Sequence, residues 1–126
     1  MKNILSLLCF LGFYTLEAQE VVIRKELFTD YMGSEFNGVM VSNPPLVAQS
    51  YEWNGYPNGV QALVLDQTFT VEEGCYTFSA DDGFGDGFGF THGYFRLTWL
   101  RPESTDSVLV FIENNWGDVA LATFCV

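Results

Sequence analysis

The chain predicts an all-β fold, a single jelly-roll-like β-sandwich of about eight strands built from two similar four-strand halves. Three observations predict it. No stretch after the first 18 residues repeats its apolar positions with a helical period. Short β-branched and aromatic runs recur instead between Gly, Pro, Asn and Asp clusters. The order strand, acidic Gly loop, strand, strand, Trp-Gly turn, strand occurs twice in succession.

In chain order, strands are expected at Val21 to Phe28, Gly38 to Ser42 and Leu46 to Tyr51. They continue at Val60 to Leu65 with an extension over Thr68 to Val71, then Cys75 to Ala80, Tyr94 to Leu100, Ser107 to Ile112 and Val119 to Val126. Alternation is cleanest in Cys75-Tyr76-Thr77-Phe78-Ser79 and Phe95-Arg96-Leu97-Thr98-Trp99, where one set of side chains faces a core. In the duplication, Asp30-Tyr31-Met32-Gly33-Ser34-Glu35 corresponds to Asp82-Gly83-Phe84-Gly85-Asp86-Gly87, and Trp53-Asn54-Gly55 to Asn115-Trp116-Gly117. A four-strand unit cannot cover its own apolar face, so each half is expected to bury that face against its copy.

Residues 1–18 form the three-part layout of a cleavable secretory signal: Lys2 in a positive start, the apolar run Ile4 to Leu16, and the small residue Ala18 before Gln19. The run is shorter than the roughly 20 residues that span a bilayer, so no membrane span is expected. Cys9 follows Leu7-Leu8, where a lipidation signal wants small residues. Residues 19–126 are then one exported β-sandwich domain, secreted, periplasmic or at the cell surface. Losing Lys2 and Glu17 leaves 16 − 1 = 15 acidic and 5 − 1 = 4 basic side chains, a net charge of −11. That surface repels nucleic acid and anionic membrane and attracts cations. The two remaining cysteines, Cys75 and Cys125, suit a disulfide in an oxidising compartment, with two buried free thiols as the alternative.

Asp81-Asp82-Gly83-Phe84-Gly85-Asp86-Gly87 places three carboxylates and three glycines in seven residues. Hard cations such as Ca²⁺ take oxygen ligands, and glycine lets a short loop curl around one. Structural Ca²⁺ is therefore expected, with Asp82 and Asp86 as first ligands and Asp81 beside them. Asp30 and Glu35 of the sister loop either complete this site or form a second one. Trp53, Trp116 and Tyr56 lie in turn-like Asn/Gly settings and are the candidate ligand-binding platform. No catalytic residue is expected, since His92 is the only histidine and no nucleophile accompanies it.

Gly74-Cys75-Tyr76-Thr77-Phe78, the acidic Gly loop, Gly93-Tyr94-Phe95-Arg96-Leu97 and Thr123-Phe124-Cys125-Val126 together resemble a secreted β-sandwich module. It is an accessory domain of exported proteins in marine and Bacteroidetes-type bacteria. Asp30 to Glu35 is similar to its N-terminal Asp-x-x-Gly-Ser-Glu element. The resemblance implies a disulfide-stabilised sandwich, a cation-binding acidic loop and a non-catalytic attachment role. Members often carry further cysteines after the acidic loop, where this chain has Phe88-Gly89-Phe90. The leading expectation is a calcium-binding module that attaches to a glycan or an extracellular or envelope protein. A structural subunit of a cell-envelope complex is the alternative, and a small secreted hydrolase, with paired carboxylates, the third.

Overall fold

The computed structural model describes residues 20–29, 32–43, 50–59, 61–88, 93–113 and 116–126. The expected signal segment lies outside the described residues. Eight strands are present: β1 Glu20–Phe28, β2 Phe36–Ser42, β3 Ser50–Trp53, β4 Leu63–Glu72, β5 Cys75–Asp82, β6 Tyr94–Trp99, β7 Ser107–Glu113 and β8 Val119–Cys125. They form two four-stranded antiparallel sheets in the orders β4-β1-β6-β7 and β3-β2-β5-β8. Replacing β1 to β4 by β5 to β8, and the reverse, turns the first order into β8-β5-β2-β3, which is the second sheet read backwards. The two halves of the sequence are thus exchanged: each gives two strands to each sheet.

Most expected strands shift by one or two residues at an end, and the third and fourth change more. The segments expected at Val60 to Leu65 and Thr68 to Val71 give one continuous strand that starts at Leu63, because Asp66 and Gln67 stay in register opposite Glu26 and Lys25; Val60 lies outside the described residues. The third strand lies at Ser50–Trp53 instead of Leu46 to Tyr51, whose first four residues are outside the described residues. Trp53 turns inward there and anchors the strand.

The core lies between the sheets. Ile23, Leu27, Phe95 and Leu97 from one sheet meet Met40 and Phe78 from the other, all fully buried. Phe78 and Phe95 stack across the interface, centroids 4.9 Å apart and planes 8° apart. Each such aromatic buries a large apolar area, and offset ring pairs add about 0.5–1.5 kcal/mol beyond it. Cys75 and Cys125 stand opposite each other on β5 and β8 and form the disulfide, with Cα atoms 4.0 Å apart.

Candidate metal centre

Three connections converge at the end of the sandwich where β1 and β5 finish. After β1, the chain forms a short 3₁₀ turn at Gly33–Glu35 and enters β2 at Phe36. Asn58 holds this turn: its Oδ1 accepts the Ser34 N–H at 2.9 Å. Gly33 is required, because a Cβ there would lie 2.7 Å from the Pro57 carbonyl oxygen. The turn is also tied to the second acidic loop, since the Gly83 N–H donates to the Glu35 carbonyl at 3.3 Å. From the third connection, Asp118 accepts the Asp82 N–H through its main-chain oxygen at 3.0 Å.

Glu35, Asp82 and Asp86 each bring a carboxylate oxygen within 4.8 Å of the other two. Asp82 is 7% exposed, and its Oδ2 accepts the Gly87 N–H at 2.6 Å, which fixes the carboxylate in the loop. Gly85 and Gly87 both have left-handed φ, 77° and 69°, and flank Asp86. They fold the loop back so that Asp86 returns to Asp82. Three carboxylates this close repel one another unless protons or a cation neutralise them. As a donor set they are hard oxygens, suited to Ca²⁺ or Mg²⁺ and unsuited to a metal that prefers nitrogen or sulfur. Glu35 and Asp82 also line a narrow space with Thr29, Phe36 and Phe88.

The sister loops therefore meet in one cluster, and Glu35 belongs to it; no separate Glu35 site exists among the described residues. Asp30 lies outside the described residues. Asp81 is not in the cluster: it precedes Asp82 on the same strand, points to the opposite face and is exposed. Asp118 was not anticipated from the sequence. It is an exposed carboxylate against the loop, and a Cβ at Gly85 would collide with its Oδ1. Its signal is the left-handed Gly117, φ 81°, which turns the chain so that Asp118 faces back toward the loop.

Of the expected aromatic platform, Trp53 lies in the core and is removed as a ligand-binding ring. Trp53 is 4% exposed and packs against Phe69, Phe78 and Phe95 as a core residue. Trp116 is half-buried, edge-on to Phe36 and Phe88. Tyr56 is half-buried against Phe36, and this burial raises the phenol pKa. Asn and Gly around all three rings specify turns, which alone predict an outward position. In an eight-stranded sandwich those turns fold over the open ends, and the rings seal the core. His92 lies outside the described residues.

The outer face of the first sheet carries a different aromatic row. Phe28 on β1 stacks on Tyr94 of β6 at 6.0 Å, and Tyr94 adjoins Phe111 of β7 at 6.1 Å. Phe111 is 50% exposed. Beside the row runs an ion-pair chain. Arg24 donates to both Asp66 oxygens at 2.8 Å, and Arg96 donates to buried Glu26 at 2.7 Å. Hydrogen bonding from Arg24 holds the Asp66 carboxyl below its ordinary pKa, and Glu26 raises that of Arg96. At the tip of the acidic loop, Phe84 is 78% exposed.

Fold and site define a disulfide-bridged, two-sheet β-sandwich with an acidic candidate metal cluster between its crossing loops. The chain matches no family model, no curated protein and no solved structure. No helix among the described residues is long and apolar enough to cross a membrane.

Proposed function

We propose that the protein is a non-catalytic, exported β-sandwich module, stabilised by Ca²⁺, that attaches to a glycan or to an extracellular or envelope protein. The observation that carries the reading is the meeting of Glu35, Asp82 and Asp86 from two different loops within 4.8 Å. A cation there cancels their repulsion and locks both loops, and with them the end of the sandwich where Phe28 and Tyr94 emerge. Attachment then falls to the outer-face row of half-buried Phe28 and Tyr94 with exposed Phe111, and to exposed Phe84, rings suited to stacking on sugars or anchoring a protein. The disulfide is consistent with export. The Gly-Cys-Tyr-Thr-Phe and acidic-loop resemblance supports the same reading.

The test is a thermal melt in chelator and in Ca²⁺, followed by glycan-array binding under both conditions. At a hundredfold excess over Kd the ion adds about 2.7 kcal/mol. With about 2.1 cal/mol/K of unfolding entropy per residue over 108 residues, that raises the midpoint by about 12 °C. Asp82→Asn is expected to abolish the response and to weaken any array signal. An unchanged wild-type midpoint refutes the calcium reading. A calcium-shifted melt with no binding to glycans refutes sugar attachment and leaves a protein as the partner.

A further inference from the structure

A cavity of about 180 Å³ lies at the end of the sandwich that carries the disulfide, remote from Asp82. Its lining comes from the start of β1, the β4–β5 turn, the end of β6 with the loop after it, and the residue that follows β8. Val21, Val22, Leu100, Pro102 and Val126 make the walls apolar, and Trp99 adds an aromatic ring. At ~30 Å³ for each water molecule, the space takes about six heavy atoms.

Main-chain groups at the margin are already engaged with one another. The Leu100 N–H donates to the Val22 carbonyl at 2.9 Å, and Gly74 and Val126 exchange both of their bonds, at 3.1 and 2.9 Å. The polar side chains of the lining are Glu20 and Glu73, both exposed, and a carboxylate only accepts. Glu20 also stands directly opposite Glu72 in the β1–β4 ladder, with Glu73 next in the chain, so like charges crowd this rim. Among the described residues no basic side chain lines the cavity. Arg101 is turned onto Trp99 instead, its Cζ 4.1 Å from the ring centroid. Asp106, whose Oδ1 accepts the Arg101 main-chain N–H at 3.2 Å, sets a further carboxylate beside it.

From this we infer that the cavity binds a small organic cation, an alkylammonium whose apolar body fills the space and whose ammonium rests at Glu20 and Glu73. The two parts of the lining select this class together. An anion would meet the carboxylates of Glu20, Glu72 and Glu73. An uncharged apolar molecule would leave their repulsion in place. A bare metal ion would leave the apolar walls in water and would lack the oxygen ligands that hard cations take. An alkylammonium covers the walls, donates to acceptor-only groups and neutralises the rim. The site stands at the opposite end of the sandwich from Glu35, Asp82 and Asp86 and does not depend on a cation there.

The test is a titration of the ¹⁵N-labelled protein with n-pentylammonium, followed by NMR in buffer that contains Ca²⁺ throughout. Saturable shifts are expected at the Trp99 indole N–H and at the Val22 and Leu100 amides, with a Kd of about 1–10 mM, as suits a ligand of about six heavy atoms. n-Pentanol keeps the body and lacks the charge, whereas ethylammonium keeps the charge and lacks the body. Each is expected to bind at least about tenfold more weakly. Glu20→Gln/Glu73→Gln is expected to weaken n-pentylammonium at least about fivefold and to melt within about 3 °C of wild type, as exposed changes do. If the double variant misfolds, Glu73→Gln alone decides. No saturable shift up to about 50 mM overturns the proposal. n-Pentanol or ethylammonium binding as tightly as n-pentylammonium also overturns it, since the carboxylates or the cavity then have no part. Undiminished binding by the folded variant does the same.

Discussion

Removing the Cys75–Cys125 bridge is expected to cost about 4 kcal/mol. The cysteines are 50 residues apart in sequence. In the chain-entropy description, closing such a loop takes about 14 cal/mol/K from the unfolded ensemble, or about 4 kcal/mol at 25 °C. Divided by the unfolding entropy of a 108-residue domain, about 227 cal/mol/K, it lowers the melting midpoint by about 18 °C. The loss has a direction along the strand. The bridge ties the last residue of β8 to the first of β5, at the end remote from Asp82. Without it, amide exchange should accelerate first at Phe124 and Val126, while Ala120 and Ala122 keep their protection longer. The assay is calorimetry of wild type against Cys75→Ser/Cys125→Ser, with exchange read by mass spectrometry. A midpoint fall under about 4 °C would refute the entropic reasoning, showing that the unfolded chain already keeps β5 and β8 together.

Two further outcomes concern the outer face of the first sheet. Glu26 is 4% exposed and accepts from Arg96, so Glu26→Gln is expected to cost about 2 kcal/mol, measured by urea unfolding; the figure sits below the about 3–5 of a fully buried pair because both arginines reach water. Asp66 has a folded pKa below its ordinary value, so its contribution is complete above about pH 4 and is lost as pH falls through the folded value. Wild type should therefore lose more stability than Asp66→Asn between pH 5 and pH 2.5, and equal losses would contradict the Arg24 pairing.

The fold was legible because its signals are local. Alternation in Cys75 to Ser79 and Phe95 to Trp99 marks strands whose inward sets, Tyr76 with Phe78 and Phe95 with Leu97, are buried. The duplicated order of motifs reappears as the exchange of strands between sheets. Burial of particular rings was not legible. Asn and Gly around Trp53 and Trp116 specify a turn, but whether a ring at a turn points out or caps the core depends on what the other sheet places beneath it. Phe69, Phe78 and Phe95 fill that place for Trp53, and each is at least 16 residues away in sequence.

The acidic cluster depends on one register. Antiparallel pairing of β2 with β5 sets Phe36 opposite Asp82, so the residue before the first, Glu35, adjoins the residue after the second, Gly83. The same pleat sends Asp82 inward and Asp81 outward. Two adjacent aspartates look equivalent in a sequence, and a slip of one residue would exchange their roles. The inward positions Phe78 and Ala80 prevent the slip, because it would move Phe78 out of its stack on Phe95 and into water. Core packing in the middle of β5 thus decides which carboxylate at its end joins Glu35 and Asp86. Substitutions that loosen the Phe78–Phe95 contact would therefore disturb the acidic cluster at the far end of the strand without touching any of its carboxylates.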